Sequence, residues 1–199
     1  MKRLILICFA IGLILASPNA QASLTNGSFE TGDLTGWTAN VPSGASINVV
    51  TNHADTSGFG TGTTSWAPTD GRHFALLKPD SPQTTTQLYQ SFTAAAGTTL
   101  TFDYFWDSQD YFPFNDTATG TLLTGAGLGG SVVSTLFSHS VNTDPDDYWG
   151  TSWTSVGYTF ASSGTYTLLI EISNGYDSYL PSYVGIDNVK LIPAPGAML

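Results

Sequence analysis

The chain has 199 residues, with 5 Lys and Arg against 15 Asp and Glu and a formal net charge of −10. Two of the basic residues sit in an N-terminal leader, so the rest carries Arg72, Lys78 and Lys190 against all 15 carboxylates, a net of −12. A surface that acidic repels phosphate backbones and excludes nucleic acid as a partner.

The leader is legible first. Met1-Lys2-Arg3 is a basic start, residues 4–15 form an apolar stretch, and Ala20-Gln21-Ala22 is a small-residue cleavage box. The pattern predicts a signal peptide over 1–22 and export, leaving the protein secreted or on the cell surface. At about 12 residues the apolar stretch is too short to span a bilayer. The sole cysteine, Cys8, lies within it, so the exported part has no disulfide and must draw its stability from core burial, helped by any bound cation. The remainder suits a single domain, 23–191.

Asn26-Gly27-Ser28-Phe29-Glu30 and Thr31-Gly32-Asp33-Leu34-Thr35-Gly36-Trp37 follow at once. Three glycines and two large aromatics in a dozen positions predict a sharply bent edge, not a helix. Residues 45–51 read as a short strand, and 52–69, rich in Gly, Ser and Thr with Trp66 near its end, as a long surface loop. Asp70-Gly71-Arg72-His73 turns into a strand at 74–78. Further strands are expected at 87–92 and 99–106, the latter placing Leu100, Phe102, Tyr104 and Trp106 on one face.

The loop 107–116 holds three Asp, one Asn and three aromatics. Strands resume at 118–123 and 132–138, and a second acidic and aromatic loop, 144–149, precedes strands at 152–160 and 165–172. After a loop carrying Asn174, Tyr176, Asp177 and Tyr179, residues 183–191 alternate at period two, with Val184 and Ile186, then Val189 and Leu191, facing inward across a register change. This last segment is expected to lie beside 26–37 as a neighbouring strand. Trp37 and Trp153 read as core, and no amphipathic helix appears after Ala22. Roughly nine or ten strands at short intervals predict an all-β, two-sheet antiparallel β-sandwich of jelly-roll type.

The opening Asn26-Gly27-Ser28-Phe29-Glu30 with Gly36-Trp37, together with the closing Asp187-Asn188-Val189, resembles the signatures of the galactose-binding-like β-sandwich found in many bacterial carbohydrate-binding modules. The resemblance covers essentially the whole exported chain. It implies a structural calcium ion between the first and last strands, held by the side chains of Glu30 and Asp187, the carbonyl of Ser28, the Asp70 carboxylate and a backbone oxygen of His73. Calcium takes six to eight oxygen ligands, and a Gly-rich turn can aim carbonyls at it. The alternative is that Glu30 and Asp187 are strand-end residues satisfied by backbone amides. The end of the chain, 192–199, resembles the start of a PEP-CTERM sorting tail, truncated before its apolar span and Arg cluster; the other reading is a simple Pro-rich end.

A ligand face is expected on the loops 107–116, 144–149 and 174–179. Sugars stack on aromatic faces and exchange hydrogen bonds with planar polar groups. Trp106, Tyr111, Phe112, Tyr148, Trp149, Tyr176 and Tyr179 supply the first kind of group, and Asp110, Asn115, Asp116 and Asn174 the second. The blander reading makes Trp106, Phe112 and Phe114 plugs of the sandwich and the acids solvated loop residues. A second calcium in 107–116 is a further reading, although its spacing matches no EF-hand.

Catalytic signals are thin. His53, His73 and His139 lie far apart without a zinc spacing, and there is no G-x-S-x-G elbow. The reading is a non-catalytic, exported, calcium-stabilised β-sandwich whose partner is a polysaccharide, with extracellular matrix as one source. A structural surface protein without a glycan site, and a glycoside hydrolase with paired carboxylates, are the alternatives.

Overall fold

Period-two alternation decides the architecture. The computed structural model describes residues 24–195, so the expected signal peptide and residues 196–199 of the expected tail lie outside the described residues. In chain order the strands are β1 (Thr38–Asn40), β2 (Ser46–Val50), β3 (His53–Ala54), β4 (Thr61–Gly62), β5 (Ser65–Trp66), β6 (Phe74–Lys78) and β7 (Thr85–Ala94). Then come β8 (Thr99–Asp107), β9 (Thr117–Thr124), β10 (Val132–Ser140), β11 (Trp149–Gly150), β12 (Thr154–Thr159), β13 (Gly164–Ser173) and β14 (Tyr183–Ile192). Among the described residues the helical content is one 3-10 turn, Val141–Thr143, and no helix there is long and apolar enough to cross a membrane.

Two sheets face each other. One has the order β1-β7-β13-β9-β10; the other runs β2-β6-β14-β8-β11-β4, with β12 also on β8. All pairs in them are antiparallel except β11 with β4. This is the expected all-β, two-sheet antiparallel sandwich. Leu88 and Phe92 of β7, Leu168, Ile170 and Ile172 of β13, Leu100, Phe102, Tyr104 and Trp106 of β8, and Val184, Ile186 and Val189 of β14 fill the space between the sheets. Each such side chain contributes about 1.5–3 kcal/mol by leaving water.

The register change in β14 falls between Asp187 and Lys190, where Asn188 takes φ +55°. That bulge lets Ile186 and Val189, three positions apart, both face inward.

Two expectations are corrected. Residues 26–37 form successive turns, Phe29 N to Asn26 O, Gly32 N to Phe29 O and Trp37 N to Leu34 O, and not a strand beside β14. They reach the last strand through one backbone bond, Val189 N to Gly27 O at 3.0 Å. A Cβ on Gly27 would overlap the Val189 carbonyl, so glycine is required at this crossing. Phe29 has φ +57°, a conformation costing roughly 1–2 kcal/mol, offset by full burial of its ring against Trp37.

The stretch 52–69 is likewise more than a surface loop. Its β3 and β5 pair with each other and lay Trp66 and His53 over the outer face of the seven-stranded sheet. There Trp66 stacks on Phe105 at 4.4 Å, within a second cluster that includes Phe74 and Leu76. Phe105 therefore points away from the main core yet is fully buried.

Candidate functional site

Three places on this scaffold gather polar or aromatic side chains. The first is the corner where the turns of 26–30 and 69–73 meet the bulge of β14. Ser28 Oγ donates to Asp70 Oδ2 at 2.6 Å. The backbone N–H groups of Arg72 and His73 each donate to Glu30 Oε1 at 2.8 Å, and His73 Nδ1 lies 3.6 Å from the same oxygen. Asp187 Oδ2 accepts from Thr69 N, Asp70 N and Thr69 Oγ1, and its Oδ1 from Asn188 N. All five residues expected at a calcium ion thus share one corner.

Backbone amides satisfy much of that corner. Both oxygens of Asp187 carry donors, while Glu30 Oε2 and Asp70 Oδ1 accept no hydrogen bond from any described residue. Among the described residues no three acidic or imidazole side chains converge on one ion position. A cation here would therefore rely on carbonyls and on those two free oxygens, hard donors of the kind calcium takes. The amide bonds, with Arg72 first, hold the Glu30 carboxyl below its ordinary range. Burial pushes Asp187 up in spite of its four donors.

The second place is the end of the sandwich where the loops 108–116, 141–148 and 174–182 come together with 55–62. Tyr148 N donates to the Asp110 carbonyl at 2.8 Å, Thr61 N to the Tyr148 carbonyl at 2.9 Å, and Phe112 N to Asp147 Oδ1 at 3.0 Å. These bonds align a run of rings. Phe59 lies 5.3 Å from Tyr148, Tyr148 5.6 Å from Tyr111, and Tyr111 5.0 Å from Phe114. Phe59 (68 % exposed), Phe112 (67 %), Tyr176 (68 %) and Tyr179 (77 %) turn to solvent on the same loops.

Several residues expected to meet a ligand are instead the frame beneath this face. Trp106 is fully buried between the sheets, its Nε1 donating to Asp144 Oδ2 at 2.8 Å. Asp116, with no exposed surface, accepts from Gly175 N and Ser182 N and so ties 116 to both ends of the 175–182 loop. Asn174 is buried with Oδ1 taking Tyr176 N and Asp177 N. Asp110 is 2 % exposed; its Oδ1 takes Tyr111 N and its Oδ2 has no partner. Asn115 spends its Oδ1 on Ser140 Oγ and Asn142 N. Of the expected set, Tyr111 and Trp149 remain half-buried and Tyr176 exposed, and Trp149 packs against Gly62. Phe59 was missed because a lone aromatic in a Gly- and Ser-rich stretch gives no periodic signal.

Burial raises Asp110 to about 7 and Asp116 to about 6, with the Asp116 charge adding to the rise at Asp110 and the Asp177 charge adding to both. Raised carboxyls are what a general acid shows, but these two are sealed under the loops and reach no substrate. Their consequence is for stability. A carboxyl with a raised folded pKa binds more protons folded than unfolded between about pH 4 and 7, so stability falls as pH rises through that window. The melting temperature is expected to be about 5 °C higher at pH 5 than at pH 8. Asp110→Asn keeps the acceptor for Tyr111 N and should raise the pH 8 value while leaving pH 5 unchanged. A melting curve that rises steadily from pH 5 to 8 would contradict this.

The third place is the outer face of the five-stranded sheet, which the sequence reading passed over. Asn40 pairs with Gln87, Gln87 with Glu171, Glu171 with Thr119 and Thr119 with Ser138, one polar row across all five strands. Thr85, Ser173 and Thr117 form the next row. A cavity of about 180 Å³ opens between them.

No family model matches the sequence, and no curated protein matches it. Among solved structures the chain is similar to TmCBM61 in complex with β-1,4-galactotriose, with 16 % identity and a TM-score of 0.51 over 85 % of this chain and 97 % of that one. The two chains share a β-sandwich fold. The CBM22-1 xylan-binding domain of Paenibacillus barcinonensis Xyn10C also aligns, with 14 % identity and a TM-score of 0.44 over 84 % and 93 % of the two chains. A family 16 carbohydrate-binding module aligns at 16 % identity and a TM-score of 0.41 over 85 % and 98 %.

Proposed function

We propose that this chain is an exported, non-catalytic β-sandwich that binds polysaccharide at its loop end and carries a structural calcium ion at the Glu30, Asp70 and Asp187 corner. The observation that carries the first half is the run Phe59, Tyr148, Tyr111, Phe114, in which each ring centroid lies within 5.6 Å of the next. A row of rings at one end of a rigid sandwich offers successive apolar faces to the C–H faces of successive sugar rings. Buried Asp110, Asp116 and Asn174 hold the loops that present it, which is how a preorganised site limits the entropy lost on binding. TmCBM61 was solved with β-1,4-galactotriose, which makes β-1,4-galactan the first polymer to try.

The calcium half is supported by the convergence of Ser28, Glu30, Asp70, His73 and Asp187 on one corner. An ion there joins the first turns of the domain to its last strand and stabilises the folded state by mass action.

The test is affinity electrophoresis through gels holding a panel of polysaccharides, with calcium or with EDTA. Retardation by one polymer is expected. Tyr148→Ala or Tyr111→Ala should each weaken it about tenfold, the value of one stacked ring, with the fold intact. Unretarded migration of folded protein in every gel would overturn the glycan reading. EDTA is expected to lower the melting temperature of the wild type but not of Glu30→Ala; an EDTA-insensitive wild type would overturn the calcium reading.

A further inference from the structure

The loop end leaves the polar face of the five-stranded sheet unexplained. Side chains at alternate positions of a strand share a face. Glu171 and Ser173 of β13 therefore stand outward together, flanked by Thr85 and Gln87 on β7 and by Thr117 and Thr119 on β9. These residues are half-exposed, while their neighbours Thr86, Ala118, Ile170 and Ile172 are buried on the core side.

Glu171 is the one ionisable group in the two rows. Its Oε1 accepts from Gln87 Nε2 at 2.7 Å, and Gln87 Oε1 in turn accepts from Asn40 Nδ2 at 2.9 Å. That relay fixes the carboxylate and uses one of its oxygens. Oε2 takes no hydrogen bond from any described residue, and no Lys or Arg among the described residues pairs with the group. Thr85 and Ser173 bond each other at 2.8 Å, leaving the hydroxyls of Thr117 and Thr119 without a side-chain partner among the described residues.

The cup thus offers a charged acceptor and hydroxyl oxygens, with no cation to balance them. An ammonium group is the complement: three donors, no acceptor, and a charge-assisted bond to the carboxylate roughly twice as strong as a neutral one. A neutral sugar hydroxyl leaves the charge uncompensated, and a uronate is repelled. At about 180 Å³ the cavity is smaller than the roughly 300–1,000 Å³ of a site that encloses a whole ligand, so it takes one amino-bearing ring of a longer chain.

We propose that the outer face of β7, β13 and β9 is a second glycan site, selective for a sugar with a free amino group that docks on Glu171. The choice of a sugar rests on the glycan-binding reading; the choice of an amine rests on this cup alone.

The experiment is an amide NMR titration of the folded protein with short β-1,4-linked glucosamine oligomers and, separately, with their N-acetylated counterparts. Shifts are expected at Gln87, Thr119 and Glu171 with the amino form only, weakened at least tenfold by Glu171→Gln and by raising the salt from 0.05 to 0.5 M. Glu171→Gln retains the acceptor for Gln87, so the fold is kept. Equal shifts with the N-acetylated form, indifference to Glu171→Gln, or shifts confined to the loop end would overturn the proposal. Tyr148→Ala separates the two readings. If polymer retardation in gels fails altogether while the sheet face still titrates, the loop-end reading falls and this one stands.

Discussion

Trp106→Ala is expected to lower stability by about 3–5 kcal/mol, the cost of emptying a fully buried indole site, and the melting temperature by about 10 °C. The ring has no exposed surface, lies 14° from coplanar with His139 at 5.9 Å, and gives its N–H to Asp144 Oδ2. Removal leaves both a cavity and an orphaned, buried carboxylate oxygen. Trp106→Phe should recover part of the packing but not the hydrogen bond, and so fall between the two. Urea unfolding measures this directly. An alanine variant of unchanged stability that no longer bound glycan would return Trp106 to the ligand face.

Asp187→Ala comes next, at about 3–4 kcal/mol. The side chain is fully buried and receives four donors, from Thr69 N, Thr69 Oγ1, Asp70 N and Asn188 N. Alanine would leave the three backbone donors unpaired, while Thr69 Oγ1 keeps Asp103 Oδ2 at 2.8 Å, and a buried donor without a partner costs on the order of 1–3 kcal/mol, partly recovered as the turn relaxes to water. The measurement is made in EDTA, so that loss of a cation does not add to loss of the amide bonds. A drop below 1 kcal/mol under those conditions would mean that the turn 69–73 is not anchored by Asp187. A drop much larger in calcium than in EDTA would support an ion at that corner.

Much of the sandwich was legible because its strands alternate cleanly. Leu100, Phe102, Tyr104 and Trp106 announce one buried face of β8, and Val184, Ile186 and Val189 with a slip between them announce the bulge of β14. The short strands β3, β4 and β5 were not legible, since two-residue pairings have no period to detect. Their role is tertiary, covering Phe105 with Trp66 and placing Phe59 beside Tyr148.

At the loop end, composition singled out the loops 107–116, 144–149 and 174–179, which the fold brings together with Tyr176 exposed and Tyr111 half-buried. It could not tell an exposed Asp from a buried one, because Asp116 is kept inside by Gly175 N and Ser182 N of a distant loop, and Asp110, bonded only to the adjacent Tyr111 N, is covered by loops that meet it only in the fold. The sheet face around Glu171 went unread for a different reason. Its polar residues look like the ordinary solvent side of three separate strands until the register sets them side by side.

The place of the final strand has a kinetic consequence. β14 is the last segment of the domain, yet it lies inside the seven-stranded sheet, between β6 and β8. Thr69 meets Asp187 across 118 residues of chain. Until β14 has been synthesised, β6 and β8 have no shared neighbour and their inner faces stay open to water. A nascent chain cannot complete its core domain-first from the N-terminus, and closure waits on loop-entropy costs that local contacts do not repay. The core should close only once β14 is available, in a single late step on the millisecond-to-second scale typical of non-local β topologies.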